Sequence, residues 1–407
     1  MLYRSRELTG QVDLNDICRG DGYLFVRDGV GCSGRGVAAT IDEPGLDGFL
    51  ADLGPVEGSD TPPHGHGPAV LGTVPFLPSE SAMFVVPVLT VTKSADGRTF
   101  ATITGEKAAA VSDAALDEAL DAALSTARPA PSSNNFTVEP VMDVDAYLRT
   151  VAAARDAVRA GALRKAVIAR DIRVVAGDPI DLHAVLLRLR ASFGSSYRYC
   201  VDGFIGASPE LLVQVDGRTV RSHPLAGTAP RTGDPATDAR LAEELIASTK
   251  NQVEHRVVID MVHDTLLPYC SYLDWEPEPS IVTVANVQHL GTAIEGALSE
   301  PRPTVMHLVR SLCPTPALGG APSAEAIDFI SRNEQMERGT YGGAVGWLDV
   351  HGNGTFAVAI RCAEFSGDRR TARLFAGGGI VAESEPLAEL AETQAKFQAM
   401  LSAIVRP

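Results

Sequence analysis

The stretch YRYCVDGFIGASPELLVQVDGRTVRSHPLAG, residues 197–227, reads as consecutive β-strands with a turn at Asp216 and Gly217. Asp-Gly between strand-like runs is a hairpin signal. Connections this short join antiparallel neighbours, because a parallel pair needs a crossover of a dozen or more residues. The same texture recurs in GYLFV, GVAATI and MFVVPVLTVT between residues 20 and 100, and in GGAVGWLDV, GTFAVAIRCAEF and TARLFAGGGIV near the end. A few helices interrupt it. VDAYLRTVAAARDAVRAGAL has helical apolar spacing with Gly161 near its stop, and KAVIARDIRVV then reads as a strand. TDARLAEELIASTKNQVEHRVVIDMVHDTLL reads as one long helix, and another closes the chain. Runs of hairpins with occasional helices predict an α+β fold, with large, mostly antiparallel sheets and helices packed outside, rather than a doubly wound sheet. No internal repeat is visible. STARPAPSSNN, residues 125–135, is linker-like and divides a β-rich N-terminal part, residues 1–135, from residues 136–407.

Charge narrows the partners. The 35 basic and 51 acidic residues leave a net charge of −16, which repels nucleic acid and anionic membranes. The longest apolar stretch, AMFVVPVLTV, falls short of the roughly 18–20 residues of a membrane span and contains Pro87. The N-terminal MLYRSRELTGQVDLND has no apolar leader segment, and the six scattered cysteines form no CxxC, so a cytoplasmic protein with reduced thiols is expected. GVGCSG, residues 29–34, fits a dinucleotide motif by letter, but a strand-like run follows it where a helix is required, so it reads as a hairpin turn. His64 and His66 in PPHGHGP lack a third ligand for a metal.

The stretch AGGGIVAESEPLAELAETQAK, residues 376–396, carries the chemistry. Ser384 can cap a helix whose first turn holds Pro386. On the helical wheel Leu387, Leu390, Phe397, Leu401 and Ile404 share one face, and Glu389, Glu392 and Lys396 share another. Taken alone, that second face is a solvated stripe with one i,i+4 ion pair. Beside it, Gly377, Gly378 and Gly379 leave backbone N–H groups uncovered, a natural place for a ligand carboxylate. A hard cation held by glutamates would bind the same anion. In STKNQVEH, Glu254 offers a second carboxylate with Asn251 one turn earlier, and Mg²⁺ is commonly held by one or two carboxylates plus substrate and water.

Ten segments in order make the chain resemble the chorismate-utilising enzymes: LRKAVIAR, GFIGASPELL, HPLAGTAPR, STKNQVEH, VQHLGT, CPTPALGG, RGTYGGAVGW, AIRCAEF, LFAGGGIV and ETQAK. The family includes isochorismate synthases, salicylate synthases and the large subunits of anthranilate and aminodeoxychorismate synthases. The resemblance covers about residues 141–401. It implies the anthranilate synthase large subunit-like fold, a chorismate-binding catalytic part at 136–407, and an N-terminal part that completes the fold. It implies Glu254 and Glu392 as Mg²⁺ ligands, with Asn251 and Glu389 contacting the ion through water. Gly227, Thr228, His289, Tyr341, Arg361, Gly377, Gly378 and Lys396 would line the substrate. Members that add water carry lysine where Lys165 stands, whereas the ammonia users generally carry another residue and draw on a glutaminase. Lys165 would be the general base and Glu210 the general acid. CPTPALGG and GGAVGWLD are most similar to the isochorismate synthases, so the resemblance implies Mg²⁺-dependent conversion of chorismate to isochorismate by a monomer without a glutaminase subunit. Isochorismate feeds menaquinone and siderophore routes. Salicylate synthases share the base, acid and metal positions and are the alternative. A silent chorismate-binding homologue would lack one of Lys165, Glu210, Glu254 and Glu392, and all four are present. A base and an acid that work near neutral pH both need shifted pKa values.

Overall fold

Two-residue turns set the architecture. Asp28 and Gly29 both take positive φ, 51° and 79°, as a type I′ turn requires, and join Tyr23–Arg27 to Val30–Arg35. Asp202 and Gly203 repeat this between Tyr197–Val201 and Phe204–Ser208. The GVGCSG segment gives only Gly29 to its turn and then runs as the returning strand. The turn expected at Asp216 and Gly217 lies one residue later, because Asp216 still pairs with Thr219.

The computed structural model describes residues 1–125, 134–284 and 287–406. Among the described residues the strands form a 13-stranded sheet, a nine-stranded sheet and a three-stranded sheet. Pairing is antiparallel apart from a short parallel contact, Leu2 with Gly54. The N-terminal strands are woven into both large sheets: Tyr23–Arg27 pairs with Tyr197–Val201, and Ala69–Val74 with Ala344–Asp349. Residues 126–133, most of the linker-like segment, lie outside the described residues.

The two large sheets face each other across a core containing Phe25, Tyr199 and Phe375 from one and Leu71, Val345 and Trp347 from the other. Helices cover the outer faces. Leu182–Phe193 and Pro386–Val405 pack on the larger sheet, and Thr249–Leu266 and Val305–Leu312 on the smaller one. Val144–Arg159 and Ser323–Asn333 pack against the strand Lys165–Ala176. That strand is therefore buried from Lys165 through Ile172 without alternation.

Two helical expectations change. The long helix divides into Pro235–Ala247 and Thr249–Leu266. Ser248 between them is extended, and its hydroxyl accepts from the Asn251 backbone N–H and from its Nδ2, at 3.3 and 2.9 Å. A serine able to cap a new helix ends the old one. In the closing helix Glu385 occupies the cap position, Pro386 is the first residue, and Ser384 turns its hydroxyl to Glu389 instead. The inward face of that helix is Glu389, Thr393, Phe397, Met400 and Ile404, and Leu387 is 71% exposed.

Elsewhere, His66 is buried against Phe100 with its Nδ1 2.9 Å from Thr92 Oγ1, and His64 lies beside His351. Among the described residues no helix is long and apolar enough to cross a membrane.

Candidate active site

The site grows from two neighbouring strands. Lys165–Ala176 pairs with Thr371–Ile380 in the register Ala166 to Ile380 and Ala169 to Gly377. The other side of Thr371–Ile380 is covered only up to Leu374, so its last residues form an open edge. Along that edge the three glycines make room for three different groups. A Cβ on Gly377 would lie 3.0 Å from the Tyr341 hydroxyl. One on Gly378 would lie 2.7 Å from Glu389 Oε2. One on Gly379 would lie 2.7 Å from Lys165 Cε and 3.0 Å from Glu254 Oε1. The Gly377 carbonyl points to the open edge, where Lys396 Nζ donates to it at 2.7 Å. Strand alternation then puts the Gly377 and Gly379 N–H groups on that edge and turns the Gly378 amide to Ile168 in the ladder. Gly378 accordingly does not line the cavity. It is there to let Glu389 in.

One cavity of about 240 Å³ is lined by Lys165, Glu210, Gly227, Thr228, Asn251, Glu254, His289, Tyr341, Arg361, Gly377, Glu389, Glu392 and Lys396. These residues come from every part of the chain after residue 136. Lys165 opens its strand, is 4% exposed, and donates to Glu254 Oε1 at 2.7 Å. Arg170, five residues on, serves the fold instead, bonding Thr393 and Gln394 of the closing helix. Glu210 follows the strand Phe204–Ser208, is 3% exposed, and accepts from the Leu225 N–H at 3.3 Å. Burial pushes its carboxyl up to about 8, against the opposing influence of that N–H, Lys165 and Arg361.

The opposite wall belongs to the three-stranded sheet. Gly227, at φ 72°, sits in a bulge, and a Cβ there would lie 3.2 Å from Asn251. His289 Nδ1 lies 3.1 Å from the Gly227 carbonyl and 3.2 Å from Thr228 Oγ1. Its Nε2 accepts from Arg361 Nη2 at 3.1 Å, so the Nδ1 carries the proton. Burial, with Arg361 and Lys396 adding to it, lowers His289 to about 3. Arg361 is 7% exposed, and its Nε has no partner among the described residues. A buried, unsatisfied guanidinium N–H in a cavity calls for an anion. Tyr341 stacks on Phe375, ring centres 5.3 Å apart.

Sequence reading missed the apolar side of the cavity: Val167, Leu318, Ile360 and Phe375. Each stands inside a segment quoted for the family resemblance, and that adjacency was the available signal.

Among the described residues no three His, Cys, Asp or Glu side chains converge as a metal-binding group. Mg²⁺ does not require three, since one or two carboxylates completed by substrate and water suffice. Glu254 and Glu392 meet that requirement. The missing Cβ atoms of Gly378 and Gly379 leave space beside Glu392 and Glu254, with Glu392 Oε1 4.0 Å from the first of those positions. Burial opposes ionisation of Glu392, but Lys396, paired with it at 2.5 Å, outweighs burial and holds its carboxyl below the usual range. The residues therefore fit the ion.

Gly379→Ala should lower kcat/KM by about 10²-fold, because the added methyl must displace Lys165 or Glu254 by a large fraction of an ångström. Steady-state kinetics on folded variant protein checks this.

Residues 57–405 match the family described as chorismate binding enzyme. The isochorismate synthase MenF of Bacillus subtilis is 36% identical over 357 residues, which are 83% of this chain and 75% of that protein. The isochorismate synthase DhbC of the same organism is 38% identical over 284 residues, 67% of this chain and 71% of the relative. Among solved structures, the menaquinone-specific isochorismate synthase MenF of Escherichia coli superposes with a TM-score of 0.82 at 24% identity over 99% of this chain and 95% of that one, a likeness of fold. With a family match spanning most of its length, the chain belongs to the chorismate binding enzymes.

Proposed function

We propose that the protein is an isochorismate synthase, which converts chorismate to isochorismate. The observation that carries this reading is a buried carboxylic acid, Glu210, and a buried amine, Lys165, lining one cavity with cations for carboxylates. Lys165 takes a proton from water as the oxygen bonds to C2 of the ring. The C1–C2 π pair moves to C1–C6, the C5–C6 pair moves to C4–C5, and the C4–O bond breaks. Glu210 gives its proton to the departing hydroxyl, so one water enters and one leaves. Lys165 donates to Glu254, and that hydrogen bond must open before the amine can reach the water. Arg361 Nε and Lys396 are the donors for the substrate's carboxylates, and the open N–H groups of Gly377 and Gly379 lie beside them. Tyr341 and Phe375, stacked on each other, would line the cavity beside the ring.

Glu254 and Glu392 are the residues that would hold Mg²⁺, which when bound would offset the negative charge of the ring carboxylate. Asn251 and Glu389 line the same cavity and would support water around it. Glu392→Gln should weaken Mg²⁺ binding at least about tenfold in calorimetric titrations with substrate present. An unchanged titration would remove Glu392 as a ligand. On this reading the enzyme acts in the cytoplasm as a monomer without a glutaminase, because water replaces ammonia, and its product enters menaquinone or siderophore synthesis.

The test is NMR or chromatographic analysis of products from chorismate and Mg²⁺ without ammonia. Isochorismate alone is expected. Salicylate with pyruvate would instead make the protein a salicylate synthase, and anthranilate on addition of ammonium salts would make it an ammonia user.

A further inference from the structure

Just behind the cavity lies a buried ion pair with several connections to the strand and loops that line it. Glu334 and Arg338 have side chains 1% and 3% exposed, and Arg338 Nε donates to Glu334 Oε2 at 2.7 Å. Neither residue lines the cavity. Glu334 Oε1 accepts from the Ala169 N–H at 2.6 Å, on the strand that begins with Lys165. Arg338 Nη2 donates to the Val167 carbonyl on the same strand at 2.7 Å. Arg338 Nη1 donates to the Leu318 carbonyl at 2.9 Å. The Arg338 carbonyl accepts from the Tyr341 N–H at 2.9 Å, and the guanidinium lies 4.2 Å above the ring of Phe76.

We propose that Glu334 and Arg338 are positioning residues for turnover, fixing Val167, Leu318 and Tyr341 as one rigid wall against the substrate ring. This rests on the function proposed above. Apart from the Tyr341 hydroxyl, the wall itself is apolar and aromatic. The three groups come from a strand, a loop and a turn remote from one another in sequence. A planar guanidinium with donors fixed in a fork can register several carbonyls at once, which a lysine cannot. The carboxylate of Glu334 orients that fork and ties off an amide on the third side. Among the described residues, Arg361 and Lys396, the donors proposed for the substrate's carboxylates, have no direct hydrogen bond to this pair. Loss of the pair therefore loosens ring placement without loosening the grip on the acid groups.

The test compares Glu334→Gln and Arg338→Lys with the wild type, each assayed well below its own melting temperature. Arg338→Lys keeps the charge beside Glu334 but loses the fork, so it preserves the fold if the glutamine variant does not. The expected result for either variant is a fall in kcat of about 10-fold to 10²-fold with KM within about threefold of wild type. Wild-type kcat in Arg338→Lys with a lowered melting temperature would reduce the pair to a structural role and overturn the proposal. A raised KM at unchanged kcat would also overturn it, making the pair a determinant of binding. Both comparisons are made against the wild type's own product. A different wild-type product would therefore change the proposed function without deciding this one.

Discussion

Lys165→Ala should lower kcat for isochorismate formation by about 10³-fold, within the range contributed by a well-placed general base. Chorismate affinity, measured by calorimetry on the same variant, should change much less. The separation follows from where the groups stand. Lys165 approaches over Gly379 from the start of its strand and meets Glu254, whereas Arg361 and Lys396 approach from other elements. Removing the lysine leaves Glu254, whose side chain is 14% exposed, without its ion-pair partner. Some loss of thermal stability accompanies the loss of rate for that reason. Substantial turnover in a folded Lys165→Ala protein would end the assignment of Lys165 as the base.

Glu210→Gln should lower kcat by a comparable factor, about 10²-fold to 10⁴-fold, because the amide can accept from the Leu225 N–H but cannot release a proton to the leaving hydroxyl. The pH behaviour makes this prediction sharper. Burial raises Glu210 to about 8, so the wild-type enzyme has its acid in working form at neutral pH and loses rate as pH rises through about 8. The glutamine variant should lack that limb. Stability carries the same signature. The unfolded carboxyl ionises near about 4.3. Between that pH and about 8 the folded state retains a proton that the unfolded chain has released. The group's contribution is therefore complete below about pH 4.3 and is lost as pH climbs to about 8. Melting curves should fall more steeply with pH for the wild type than for the variant. Parallel curves would mean that Glu210 is ionised throughout.

Legibility followed the physics of each signal. The Asp216–Gly217 turn was readable to within one residue because Asp-Gly turns act locally, whereas the turn at Asp202 and Gly203 went unread inside a segment taken as strand. Motif residues from Lys165 to Lys396 were readable by family resemblance, and with the exception of Gly378 the structure brings them to one cavity. What spacing could not show was which face of an element turns inward. In the closing helix the leucines suggested one face, but the buried side carries Glu389, with Ser384 donating to it and Gly378 giving it space. A buried carboxylate with such partners reverses the usual rule that apolar residues mark the interior. The helix break at Ser248 was hidden because serine is neutral in a helix until its hydroxyl finds a backbone N–H to cap. The apolar side formed by Val167, Leu318, Ile360 and Phe375 went unread because, apart from its place next to motif residues, nothing in a lone apolar residue distinguishes a substrate surface from core.

The pairing of Lys165–Ala176 with Thr371–Ile380 has a consequence for biogenesis. Asp171 and Arg373, joined across these strands, are 202 residues apart in the chain. During translation the Lys165 strand emerges long before its partner and presents a bare, apolar hydrogen-bonding edge in the meantime. The catalytic centre is thus assembled last, once the ribosome has delivered the glycine strand and the helix behind it. A nascent chain halted before residue 371 would expose this edge to chaperones or to aggregation, while already containing Lys165, Glu210 and Glu254.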